Sequence, residues 1–196
     1  KVKDLLKRLE KEILVFDGAI GTELQKRGLK AGDPPELWNL SKKDKVKEVH
    51  KAYVEAGSDI VQTNTFGANR LKLAEYGLEN QIKKINKSAV KLVKEVSNNN
   101  MFISGSVGPT GKLLQPVGDF SFVDAKNIFA EQIKLLFEAG VDLITIETIS
   151  DIQEARAAVI AAKEVSDIPV LCSLTFEKNA KTISGTDART AVTILE

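Results

Sequence analysis

The chain has 196 residues, enough for a sizeable core, with 28 Lys and Arg against 27 Asp and Glu. A net charge of +1 offers no electrostatic hold on nucleic acid or a membrane surface, and no apolar run approaches the roughly 20 residues of a membrane span. A single cysteine, Cys172, excludes an internal disulfide and fits a reducing, cytoplasmic setting.

Leu5, Leu6, Leu9 and Ile13 recur at helical spacing and predict a short amphipathic helix over 3–11. The run Ile13-Leu14-Val15-Phe16 then reads as a strand buried on both faces and broken by Asp17 and Gly18. A short helix over 19–26 follows, closed by Gly28. Asp33-Pro34-Pro35 forbids a regular helix across 30–40, where Trp38 is expected to pack the loop down. Ser41 with Asp44 resembles an N-cap box, opening a helix with Val46, Val49, Tyr53 and Ala56 on one face and a stop at Gly57. A second strand is expected over 59–66, then helices over 68–76 and 79–96, broken at Gly77. A third strand over 101–106 runs into the turn-rich Gly108-Pro109-Thr110-Gly111. Ser121-x-x-Asp124 caps a helix with Ile128, Phe129, Ile133, Leu136 and Phe137 inward, stopped by Gly140. A fourth strand over 143–148, a helix over 151–165, a fifth strand over 170–176 and another helical start complete the chain.

Strand and helix thus alternate five times. The junction Glu55-Ala56-Gly57-Ser58-Asp59 is echoed by Glu138-Ala139-Gly140-Val141-Asp142, as successive units of one architecture would show. The candidates are an open doubly wound sheet and a (β/α)8 TIM barrel. No Gly-x-Gly-x-x-Gly follows the first strand, which favours the barrel. Residues 1–196 then read as the N-terminal part of a single barrel domain, with about the first five βα units. The pattern stops inside a helix-like run, so a longer parent chain is expected.

A barrel carries its site at the C-terminal ends of its strands. Those ends are Asp17, Asn64 and Thr65, Ser106, Glu147 and Thr148, and Thr175. Asp17 and Glu147 could act as general acid and base, hold an ammonium group by charge-assisted hydrogen bonds, or serve as a helix cap and half of an ion pair. The turn after Asp17 presents backbone N–H groups that suit an anion, so acid and amides together suit a zwitterion such as an amino acid. Cys172, among Val170, Leu171 and Leu174, reads as a core thiol, and His50, on a charged helix flank, as a surface residue. One cysteine and one histidine do not make a zinc site.

Four segments resemble the homocysteine S-methyltransferase family: 17–24, beginning Asp17-Gly18-Ala19-Ile20-Gly21-Thr22; 62–69, beginning Gln62-Thr63-Asn64-Thr65-Phe66-Gly67; Ser106-Val107-Gly108-Pro109-Thr110-Gly111; and Ile146-Glu147-Thr148. The likeness is strongest to the homocysteine-binding module of its cobalamin-dependent members. The resemblance implies a (β/α)8 barrel in which a methyl group passes from methylcobalamin to the zinc-activated thiol of homocysteine, giving methionine. It implies substrate contacts from Asp17, Gly18, Thr65 and Glu147, with Asn64 a weaker candidate. Glu147 and Asp17 would accept from the ammonium, and the amides of Gly18 to Thr22 would take the carboxylate. The family's zinc ligands lie in an Asn-Cys and a Gly-Gly-Cys-Cys motif, and neither motif occurs here. The implied partners are the remaining barrel strands and downstream folate and cobalamin modules. Other expectations are a donor such as betaine or S-methylmethionine, a fused methylenetetrahydrofolate reductase module, an acid–base barrel enzyme using Asp17 and Glu147, and a purely structural piece. The isolated chain is expected to be inactive, with no catalytic residue and no metal ligand of its own.

Overall fold

The computed structural model describes residues 2–98 and 100–196. Four strands, β1 (Ile60–Gln62), β2 (Phe102–Val107), β3 (Leu143–Ile149) and β4 (Val170–Leu174), make one parallel sheet in the order β1-β2-β3-β4. The register pairs Ile60 with Phe102, Ser104 with Leu143 and Ile144 with Val170. Nine α-helices are described: α1 (Val2–Leu9), α2 (Ile20–Lys26), α3 (Trp38–Ser41), α4 (Lys43–Glu55), α5 (Arg70–Ala74), α6 (Ile82–Val96), α7 (Phe122–Ala139), α8 (Ile152–Val165) and α9 (Ala188–Leu195). Successive long helices pack on each other, α4 on α6, α6 on α7, α7 on α8 and α8 on α9. A doubly wound sheet reverses its strand order part-way. Among the four described strands the order does not reverse, in keeping with the way a (β/α) barrel winds. No helix among the described residues is long and apolar enough to cross a membrane.

The pleat divides each strand between two environments. Val61, Ile103, Val107, Ile144 and Ile146 face the helices and join Phe129, Ile133 and Leu136 of α7 in the main core. Alanines of α8 at 155, 158 and 162 are fully buried there, so helix and sheet approach closely. The first residues of three strands, Ile60, Phe102 and Leu143, instead pack on Leu5 of α1. Arg8 ties α1 down at Asp59 Oδ1 (2.8 Å) and the Asn100 carbonyl (3.1 Å). The N-terminal ends of β1, β2 and β3 are therefore closed by α1, and the other end is left for a site.

The repeated junction has a physical basis. Asp59 Oδ2 accepts from the Val15 amide at 3.0 Å, and Asp142 Oδ2 from the Ile103 amide at 2.9 Å. Each acid ties the start of its own strand to the segment beside it. Gly140 ends α7 in the left-handed conformation (φ 85), the cap that a residue without Cβ adopts most easily.

Several expectations are corrected. The segment 13–16 is not a strand buried on both faces: it meets the sheet through one parallel bridge, Phe16 to Ile60. The Val15 carbonyl accepts from Asp59 and Ile60 (2.8 and 3.1 Å), and Asp17 N donates to the Ile60 carbonyl (2.9 Å). Among the described residues no strand lies on its other side, so Ile13 is 90% and Val15 54% exposed while Leu14 and Phe16 turn inward. The expected second strand ends early, at Gln62, because the Thr63 and Thr65 hydroxyls take over the pairing with β2. Ser41 does not cap α4: Trp38–Ser41 is itself helical, the Ser41 hydroxyl donates to the Leu37 carbonyl, and Lys42 stands at the cap without a side-chain bond. Ser121 does cap α7, accepting from the Asp124 amide at 3.0 Å. On α7 Phe137 is exposed and Gln132 buried, because the Gln132 amide donates to the Thr65 carbonyl at 2.7 Å.

Candidate active site at the strand ends

The inner face of the sheet carries polar side chains in layers. Ser104 and Thr145 pair hydroxyl to hydroxyl at 2.6 Å, which satisfies both without water. One layer nearer the strand ends, Glu147 Oε1 accepts from Gln62 Nε2 at 2.8 Å and Ser106 Oγ at 2.6 Å. Strands β1 and β2 thus each contribute one donor to a single carboxylate oxygen carried by β3.

The backbone is irregular just after Glu147. The β3–β4 register shifts between Ile146 and Ile149, and Thr148 sits at φ 61, a left-handed value that a β-branched residue rarely adopts. Bulges re-aim side chains, and such strain persists only where the surroundings over-determine it. Alternation from Ile146 turns Glu147 into the cavity, and the extra residue returns Ile149 to the core.

Asp17 lies beside this acid. Its Oδ2 accepts from the Gln62 backbone amide at 3.0 Å, whereas Oδ1 is buried without a hydrogen-bond partner. Burial pushes the Asp17 carboxyl up to about 7; the Gln62 amide opposes this and the Glu147 charge adds to it.

The cavity is about 600 Å3 and is walled by 17–21, 34–36 and 62–67 together with Lys72, Tyr76, Ser106 and Glu147. Asp17, Gly18, Asn64, Thr65, Ser106 and Glu147 come together in it, while Thr148 and Thr175 do not line it. Gly18 has no room for a side chain: a Cβ there would sit 2.8 Å from the Tyr53 hydroxyl, which donates to the Ala19 carbonyl at 3.1 Å. Thr65 is fully buried and its hydroxyl donates to the Ser106 carbonyl at 2.7 Å. The Asn64 amide is committed to the Pro35 carbonyl (2.8 Å) and Asn39 Oδ1 (3.0 Å). Gln62, Glu36, Lys72 and Tyr76 also line the cavity and were not singled out from the sequence. Glu36 is buried, its Oε1 accepts from the Gly67 amide at 2.7 Å, and burial raises its pKa. A glutamate directly after Pro-Pro was the one available signal for it.

Among the described residues no three His, Cys, Asp or Glu side chains cluster as a metal would require. Cys172 is half-buried on β4 against the main core, with its thiol pushed up to about 11 by burial, so it does not fit a thiolate ligand. The surface reading of His50 is corrected. It is fully buried on α4, neither ring nitrogen has a partner, and burial pulls its pKa down to about 4.

The sequence profile of the Homocysteine S-methyltransferase family matches residues 14–196. The chain belongs to the homocysteine S-methyltransferase family. Curated relatives include the methionine synthases of Mycobacterium tuberculosis (strain ATCC 25618 / H37Rv), 29% identical, and Mycobacterium leprae (strain TN), 28% identical. Each alignment covers 98% of this chain but only 18% and 17% of those relatives, so the chain spans less than a fifth of their length. Among solved structures, the metallated form of the Escherichia coli homocysteine methyltransferase MmuM matches with a TM-score of 0.82 at 24% identity, over 100% of this chain and 74% of that one. Its oxidized form also gives 0.82, at 26% identity over 95% and 70%.

Proposed function

We propose that the cavity binds the amino-acid end of L-homocysteine and that the whole protein is a homocysteine methyltransferase of the methionine synthase type. The observation that carries the reading is Asp17 Oδ1, buried without a partner beside the Glu147 carboxylate. An unmet buried acceptor costs free energy, and an ammonium brings three N–H donors and a positive charge to two acids at once. The substrate carboxylate then meets the amides of 18–22, where Ala19 stands at the cap of α2 without a side-chain bond. Thr65 and Asn64 support the reading as wall residues, holding the loop after β1 against β2 and against the segment at Pro35.

For the whole protein we infer further strands completing a (β/α)8 barrel, folate and cobalamin modules, methylcobalamin as donor and zinc at the thiol. The methionine synthase relatives, of which this chain spans under a fifth, support that reading. The described residues do not fit zinc, so their part is to bind and orient the amino acid.

Calorimetry on the full-length protein tests the reading. L-Homocysteine should bind at least about 30-fold more tightly than 4-mercaptobutyrate, which lacks only the amino group. Equal affinities would remove Asp17 and Glu147 from substrate binding. Methyl transfer from betaine or S-methylmethionine without cobalamin would retain the site and replace the donor.

A further inference from the structure

We propose that Gln62 is the positioning residue of this site, setting both acids from one strand end without adding charge; the proposal rests on the homocysteine reading above. Gln62 is the last residue of β1, where its backbone amide donates to Asp17 Oδ2 (3.0 Å) and its side-chain amide to Glu147 Oε1 (2.8 Å). Among the described residues it is the one residue hydrogen-bonded to both carboxylates. One bond holds the acid before β1, and the other reaches past β2 to β3.

The chemistry of the amide matters as much as its reach. Among the described residues neither Asp17 nor Glu147 has a Lys or Arg partner. A cation here would neutralise the acids in advance and compete with a substrate ammonium. A carboxylate would add a third negative charge facing Asp17 and Glu147. A neutral donor does neither, fixing Glu147 while leaving the charge of the pair for the ligand. Ser106 adds a second neutral donor to the same Oε1, so the pattern is shared by two strands. The remaining titratable groups lining the cavity are Glu36, Lys72 and Tyr76.

The test is calorimetric titration of the full-length protein with L-homocysteine across roughly pH 6 to 9, for the parent, Gln62→Met and Gln62→Glu, with thermal unfolding as the check on folding. Gln62→Met keeps the length and loses the donor, and should weaken binding about 10-fold with an unchanged unfolding midpoint. Gln62→Glu keeps the shape and adds an acid, and its affinity profile should gain a titration step that the parent lacks. A side chain that did not face the two acids and the ammonium would not produce that step. Binding by both variants within about twofold of the parent, on superimposable pH profiles, would overturn the proposal. Should Gln62→Met fail to fold, the profile of Gln62→Glu decides alone. A parent that binds no homocysteine would overturn the substrate reading itself, whereas a parent that binds beside indifferent variants overturns only the role of Gln62.

Discussion

Asn39 and Asn64 exchange amides: Asn39 Nδ2 donates to the Asn64 carbonyl at 2.7 Å while Asn64 Nδ2 donates to Asn39 Oδ1 at 3.0 Å. Both side chains are buried, and the Asn39 carbonyl takes the Ser88 hydroxyl of α6 at 2.6 Å. Glu36 joins the same two segments through the Gly67 amide at 2.7 Å. The turn after Pro34-Pro35 and the loop after β1 are therefore fastened together, and two walls of the cavity act as one piece. A fixed cavity forms before the ligand arrives, which limits the ordering that binding would otherwise cost.

This bracing predicts how Asn64 responds to substitution. Asn64→Asp turns two donors into acceptors that face the Pro35 carbonyl and Asn39 Oδ1, and should destabilise the fold by about 2–4 kcal/mol in urea unfolding. Asn64→Ala should cost about 1–3 kcal/mol, and its folded fraction should still bind homocysteine nearly as the parent does. A large loss of affinity with unchanged stability would move the Asn64 amide from the wall to the ligand.

What was legible in the sequence is what depends on near neighbours. The Glu-Ala-Gly-x-Asp junction recurs because Asp59 and Asp142 each tie a strand start to the neighbouring segment, a task local enough to leave a motif. The polar strand ends at Asp17, Ser106 and Glu147 showed against apolar runs and do share a cavity. The misses depend on distant partners. Gln62 reads as an ordinary strand residue until Glu147, 85 positions away, is placed beside it. His50 lies among Lys and Glu along α4, yet Val46, Val49 and His50 are all fully buried. Ile13 and Val15 match a buried strand in type, but their exposure is decided by what lies beyond that edge, which local pattern does not encode.

His50 and Asp17 should give opposite pH dependences of stability. His50 falls from 6.5 to about 4 in the folded protein, by burial. Between those values the unfolded chain takes up a proton that the folded one refuses, so stability drops as pH falls through the window. Asp17 rises from 3.8 to about 7, so between those values the folded protein holds the extra proton and stability drops as pH rises. Each slope approaches about 1.4 kcal/mol per pH unit, and over roughly pH 4 to 6.5 they oppose each other. His50→Leu should therefore gain on the parent as pH falls from 6.5, by up to about 3 kcal/mol near pH 4. Glu36 and Glu154 shift upward like Asp17, so the difference between variant and parent is the quantity to read from urea titrations. A difference that is flat in pH would mean that the folded protein protonates His50 normally.

Thr148 offers a test of the bulge that follows Glu147. A threonine at φ 61 carries strain on the order of 1–3 kcal/mol, while glycine adopts that angle freely at an entropic cost of about 1. Thr148→Gly should be neutral or stabilising by about 1 kcal/mol in thermal unfolding, unlike glycine elsewhere in a strand. A clear loss of stability would show that the Thr148 side chain, and not its backbone, holds the bulge.

Asp17 sets stability against binding. Above pH 7 its ionised form is a buried carboxylate with one oxygen unpaired, so Asp17→Asn should stabilise the free protein at pH 8, by at most about 4 kcal/mol. At pH 5, where the parent holds the proton, the gain should shrink as the variant loses its electrostatic advantage. Homocysteine affinity should fall at least about 10-fold, because one of the two charges facing the ammonium is gone, and Glu147→Gln should cost a similar factor through the other. Proton linkage gives the sharper readout. An arriving ammonium drives Asp17 to ionise, so near pH 7 the parent should release a fraction of a proton on binding. That fraction is read on zinc-depleted protein, where the substrate thiol keeps its proton, from the dependence of calorimetric heat on buffer ionisation enthalpy. Asp17→Asn should abolish most of the release while Glu147→Gln leaves part of it. Binding by the parent with no proton release at pH 7 would mean that Asp17 is already ionised in the free protein, and the buried oxygen would then lose its place as the anchor for the substrate.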